Sequence, residues 1–116
     1  MFHTLFDRIF GKSGQRQIIA GAAAQGALLV DVRTPAEFQQ GSVRGAVNYP
    51  VQQIDALVEY VEHIQKPVIV FCASGIRSAA ARSKLRRRGI EVFNARTVQN
   101  MNSILSEAHY RTRRKS

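Results

Sequence analysis

The stretch Lys66-Pro-Val-Ile-Val-Phe-Cys72 constrains this chain most. Val68 to Phe71 is a short run of β-branched and aromatic residues opened by Pro67, the pattern of a strand buried on both faces. Cys72 stands where that strand ends. Ala73, Ser74 and Gly75 then supply a tight turn, and from Ser78 an alanine-rich helix is predicted. Such a loop curls backbone N–H groups around one point, with the positive end of a helix dipole behind them. A thiolate placed there is stabilised, so its pKa falls and its reactivity at neutral pH rises. Arg77 closes the loop with a permanent charge suited to an oxyanion. A lone cysteine is more often a small buried hydrophobe. Its place at a strand end, ahead of an arginine and a helix, favours the nucleophile.

The rest of the chain alternates strands and helices around this element. Gln15 to Gln25 reads as a helix closed by Gly26, and Leu28 to Val32 as a buried parallel strand. Thr34-Pro35 opens a short helix, with Thr34 as N-cap and Pro35 in the first position. Arg33 and Glu37, four residues apart, are predicted to pair. Gly41 to Gly45 forms a turn, and Ala46 to Tyr49 a short strand ending at Pro50. Val51, Ile54, Leu57, Val58, Val61 and Ile64 make a helical stripe that belongs to the core. Ala81 and Leu85 face inward on the helix after Cys72, which Gly89 caps. Glu91 to Asn94 is a last strand and Val98 to Ala108 a closing helix. This pattern predicts an α/β fold, three layers α/β/α with an open, mainly parallel central sheet. In such sheets ligands sit outside the carboxyl ends of the strands, where Asp31, Arg33 and Cys72 fall.

Three segments are predicted. Residues 1–14 place Phe2, Leu5, Phe6, Ile9 and Phe10 on one helical face, an amphipathic segment that packs on the domain or on a second copy. Residues 15–108 form the domain. Residues 109–116 are too basic and polar to pack and are expected to be disordered.

At 116 residues the chain has room for one domain with one modest core. One cysteine excludes an internal disulfide framework and a multi-cysteine zinc site. No apolar run reaches membrane-span length, and the N-terminus makes a poor signal peptide, so a cytoplasmic protein is expected. The net charge of +9 suits anionic substrates and would also suit nucleic acid. Arg82, Lys84, Arg86, Arg87 and Arg88 crowd one helix, and Arg111, Arg113, Arg114 and Lys115 the tail. Neither cluster is interleaved with aromatics, so it reads as solubilising charge first and substrate steering second. No nucleic-acid partner is expected.

Cys72-Ala73-Ser74-Gly75-Ile76-Arg77-Ser78 resembles the active-site loop of the single-domain rhodaneses, sulfurtransferases that carry sulfur as a cysteine persulfide. Asp31-Val-Arg33-Thr-Pro-Ala-Glu37-Phe38, followed by Gly41 and by Gly45-Ala46-Val-Asn48-Tyr-Pro50, resembles the family's other signature. The resemblance covers roughly residues 15 to 105. It implies a rhodanese-like fold, Cys72 as the sulfur-carrying nucleophile, and a loop from Ala73 to Ser78 that holds the anion. It also implies that Asp31, Arg33 and Glu37 brace the active-site side of the sheet. A small anionic sulfur donor such as thiosulfate and a cyanide, thiol or protein-thiol acceptor follow, with no metal or organic cofactor. A monomer or weak homodimer is expected. Two departures stand out. Ser42 replaces a frequent histidine, and Arg96-Thr97 stands where a glycine pair is expected, with Met101 near the place of a tryptophan.

Two other functions compete. Cysteine-based phosphatases and arsenate reductases also use a thiolate in an anion loop, but with five residues between cysteine and arginine. Here four intervene, which gives a tighter cradle. A non-catalytic binding module of the same fold is the other alternative. Such modules often lack the cysteine, which this chain keeps together with Arg77.

Overall fold

The computed structural model describes the backbone of residues 11–115 and the side chains of residues 14–110. The apolar stripe from Phe2 to Phe10 lies outside the described residues. In chain order the elements are α1 (Gly11–Ala24), β1 (Leu28–Asp31), α2 (Pro35–Gln39), β2 (Val47–Asn48), α3 (Ile54–Ile64), β3 (Val68–Cys72), α4 (Ile76–Arg87), β4 (Val92–Thr97) and α5 (Val98–Lys115). A single 3-10 turn, Val51–Gln53, leads into α3.

The four strands form one parallel sheet in the order β2-β1-β3-β4. All five residues of β3 are buried because successive side chains alternate between two covered faces. Val68, Val70 and Cys72 pack with Ile54, Leu57, Val58 and Val61 of α3 and with Ala81 and Leu85 of α4. Ile69 and Phe71 pack on the other face with Ile19 of α1 and with Met101 and Ile104 of α5. The predicted three-layer α/β/α architecture is therefore the observed one.

Four local boundaries differ from expectation. Helix α1 begins at Gly11 rather than at the expected Gln15 and takes in Gly14, where packing of Ile19, Ala20 and Ala23 outweighs the cost of about 1 kcal/mol for a helical glycine. Helix α4 starts at Ile76, because Gly75 turns the chain at φ 96° directly after Ser74. Strand β4 runs on to Thr97 by way of a bulge: Val70 pairs with Asn94, but Phe71 pairs with Arg96, leaving Ala95 extra. Helix α5 carries through Lys115, past the predicted end at Ala108. Its late residues include good helix formers by sequence. The tail expected to be disordered is thus helical through Lys115. Among the described residues no helix is long and apolar enough to cross a membrane.

Candidate active site

The short Ala73–Gly75 loop links β3 to α4 and wraps the sulfur of Cys72. Gly75 N–H donates to Sγ at 3.0 Å and Ser78 N–H at 3.4 Å. The thiol lies 3.4 Å from the Ser78 hydroxyl oxygen, which it reaches as donor when protonated. That same hydroxyl donates toward the carbonyls of Gly75, at 3.2 Å, and Arg96, at 3.3 Å. Burial pushes the thiol pKa up, but hydrogen bonds to the ionised sulfur outweigh it, from the Ser78 hydroxyl once its proton rotates from the carbonyls to Sγ and from the Ser78, Gly75 and Ser74 backbone. The result is a pKa below the ordinary thiol value. Cys72 has no exposed surface, so a reactant meets Sγ only when the short loop yields. Ala73 and Ser74 are exposed at the rim, and Ile76 is 77% exposed beside them.

Asp31, at the end of β1, is buried and fully engaged. Its carboxylate accepts from Arg33 Nη2 at 2.7 Å, from Arg33 Nε, from the Arg33 backbone N–H and from the Ser42 hydroxyl at 2.7 Å. Asn48 ties the next strand in, donating to the Asp31 and Arg33 carbonyls at 2.9 Å each. Arg33 is held above its ordinary pKa, chiefly by its hydrogen bonds to Asp31.

The predicted Arg33–Glu37 pair does not form; Glu37 is bound to Arg77 instead. A capping box at Thr34 fixes Glu37 in the first turn of α2. From there its two oxygens accept from both terminal nitrogens of Arg77, at 2.7 and 3.0 Å. Arg77 and the Thr34 backbone N–H together lower the Glu37 pKa to about 2. Arg77 was expected to close the loop with a permanent charge suited to an oxyanion. It stands in the first turn of α4, with its charge paired to Glu37 across to α2. Lys84 of α4 meets Asp55 of α3 at 3.2 Å, and Arg88, just past the end of α4, meets Glu62 of α3 at 3.0 Å, so part of that basic cluster is paired too.

Arg96 has no such partner. It is exposed, and its guanidinium makes no ion pair among the described residues. Its backbone is left-handed, at φ 74°, and its N–H is held by Asn94 Oδ1 at 2.8 Å. Among the described residues no three His, Cys, Asp or Glu side chains cluster as metal ligands do.

Residues 15–101 match the family model of the rhodanese-like domain. The chain belongs to the rhodanese-like domain family. A sulfurtransferase of Allochromatium vinosum is 36% identical over 65% of this chain and 70% of its own length. The uncharacterized protein YqhL of Bacillus subtilis is 38% identical over 59% of this chain, which spans about half, 54%, of that relative. A solved rhodanese with anions from E. coli aligns at a TM-score of 0.59 and 30% identity, covering 65% of this chain and 91% of the other.

Within this rhodanese-like domain both departures acquire a physical account. Ser42 supplies a hydroxyl to Asp31 where the resemblance leads one to expect an imidazole. Arg96 occupies a left-handed position that suits glycine, which is why a glycine is expected there. Asn94, which no motif singles out in the sequence, fixes that position by accepting the Arg96 backbone N–H through Oδ1.

Proposed function

We propose that this rhodanese-like domain is a sulfurtransferase that moves sulfane sulfur from a small anionic donor such as thiosulfate to a thiophilic acceptor through Cys72. The observation that carries this reading is Sγ at the end of β3, with Gly75 N–H at 3.0 Å and a depressed pKa. In the first half-reaction the Cys72 thiolate attacks the outer sulfur of thiosulfate. An Sγ–S bond forms, the donor S–S bond breaks, and its electron pair leaves with sulfite. N–H groups of the loop stabilise the persulfide charge. In the second half-reaction cyanide or a thiol attacks the outer sulfur, and Cys72 departs as thiolate.

Asp31, Arg33 and Glu37 act as positioning residues in this reading, the first two bracing the sheet edge and Glu37 holding Arg77. The sulfurtransferase name of the Allochromatium relative supports the reaction class. Only Ala73, Ser74 and Gly75 separate Cys72 from α4, a cradle too short to serve a phosphoryl group with its equatorial oxygens and leaving group. A cytoplasmic monomer or weak homodimer completes the proposal. Intact mass after incubation with thiosulfate tests it: the native protein gains one sulfur that a reductant removes, and Cys72→Ser gains none. Loading of the serine variant, or Cys72-dependent aryl phosphatase turnover without sulfur loading, would overturn it.

A further inference from the structure

Beside the Cys72 loop lies a cleft of about 240 Å³ whose walls include Ser74, Asn94, Arg96, Thr97, Asn100 and Arg16. Among the described residues no acidic side chain lines it. Its polar groups sort by the bonds they already make. Arg16 is taken by Asn100 Oδ1 at 2.7 Å, Ser103 Oγ at 2.9 Å and Glu107 at 2.8 Å. Asn100 donates its amide to the Ala95 carbonyl and its backbone N–H to Thr97 Oγ1. Thr97 keeps its hydroxyl proton to donate. Asn94 accepts from Arg96 N–H through Oδ1, which leaves its side-chain NH₂ free. Gln15, the remaining polar wall residue, offers an amide donor and an amide acceptor, so donors outnumber acceptors among the unengaged side chains, and one of them, the Arg96 guanidinium, carries a full positive charge. Of the two arginines beside Cys72, Arg77 is neutralised by Glu37 and Arg96 is not.

We propose that this cleft binds the sulfur acceptor, and that the acceptor is a small thiol bearing carboxylates, one of which pairs with Arg96. The proposal rests on the sulfurtransferase reading for its chemistry. Cyanide and thiosulfate need far less room than the cleft provides. Ser74 belongs both to the cleft wall and to the loop around Sγ, so a thiol anchored at Arg96 brings its sulfur toward the persulfide. The thiol sulfur attacks the outer sulfur of the persulfide, forming a new S–S bond. The Sγ–S bond breaks with its electron pair going to Cys72, and the thiol proton passes to the transferred sulfur. The products are the acceptor hydropersulfide and the Cys72 thiolate, with no external oxidant or reductant.

Native protein, Arg96→Ala and Arg96→Lys are each loaded from thiosulfate and chased with reduced glutathione or with uncharged 2-mercaptoethanol, loss of the added sulfur being followed by mass. Alanine and lysine are as constrained as arginine at this positive φ, so backbone strain is matched. Discharge by glutathione saturates, and its half-saturation concentration rises about fivefold in Arg96→Ala, the size of one partly exposed ion pair. Arg96→Lys restores it, and 2-mercaptoethanol discharges all three alike. Glutathione kinetics unchanged in Arg96→Ala, or an equal loss with 2-mercaptoethanol, would refute the assignment. A second arm needs no loading: S-methylglutathione is titrated into the unloaded native protein and followed by amide NMR. Saturable shifts at Ser74, Asn94 and Thr97, weakened in Arg96→Ala, support the cleft even where thiosulfate fails to load Cys72 and the donor reading falls. Normal loading without those shifts overturns the cleft and leaves the sulfurtransferase reading standing.

Discussion

Gly75 and Arg96 face each other with left-handed backbones, at φ 96° and 74°, and a Cβ added to Gly75 would lie 3.4 Å from that of Arg96. The two residues belong to different segments, the loop entering α4 and the bulged end of β4. The Ser78 hydroxyl joins them, reaching toward both carbonyls while lying 3.4 Å from Cys72 Sγ. Two constrained backbone positions and one hydroxyl thus set the donors around the sulfur.

Replacing Arg96 by glycine removes the left-handed penalty, which is about 1 kcal/mol for a residue with a Cβ. Arg96→Gly should raise the urea midpoint with an unchanged slope. A lower midpoint would show that the Asn94 cap and the side-chain stem contribute more than the strain costs.

The thiol pKa offers a second check. Its folded value is depressed from 9.0, because donors outweigh burial. The thiolate therefore adds stability that is complete above the unfolded pKa and lost as pH falls through the folded one. Ser78→Ala removes the side-chain donor, so the midpoint of thiolate ultraviolet absorbance should move up toward 9.0. An unmoved midpoint would assign the depression to the backbone N–H groups alone.

Glu37 titrates at the other end of the scale. Its folded pKa near 2 lies below the ordinary 4.5, so its contribution is full above 4.5 and lost as pH falls toward 2. Glu37→Gln should be modestly less stable than native at neutral pH, and the gap should close across that window. A gap constant with pH would deny the pair with Arg77 any role in it.

Asp31→Ala strands a positive charge, since the Arg33 side chain is only 12% exposed. A loss of about 3 kcal/mol is expected, the low end for breaking a buried pair. Asp31→Asn keeps one acceptor oxygen for the Arg33 backbone N–H and turns an amide donor toward the Ser42 hydroxyl, which can accept, and should lose less. Equal losses in denaturant unfolding would mean that charge is not what Arg33 requires there.

The fold was legible because periodicity reports burial directly. The continuous run Val68 to Phe71 reads as a two-faced strand, and Ile54, Leu57, Val58 and Val61 read as one helix face. Cys72 was legible from its place at the end of that run. Arg33 was misassigned because the rule pairing residues four apart holds on a helix surface, and Arg33 precedes the N-cap Thr34. Its guanidinium reaches back to Asp31 instead. The start of α4 at Ile76 and the left-handed Arg96 depend on how β4 docks on β3. That register is a tertiary property, and no local pattern in Asn94-Ala95-Arg96 encodes the bulge.

Cys72 packs in one apolar cluster with Val70, Ala81 and Leu85, and it shows no surface to solvent. Its sulfur is therefore timed by the protein as well as tuned by it. When an alkylating agent is abundant enough to capture every opening, the rate of modification becomes the rate at which the loop parts from the core. The single thiol is a built-in clock for that motion. Substitutions at Ala81 or Leu85, remote from any substrate, should change how fast it runs.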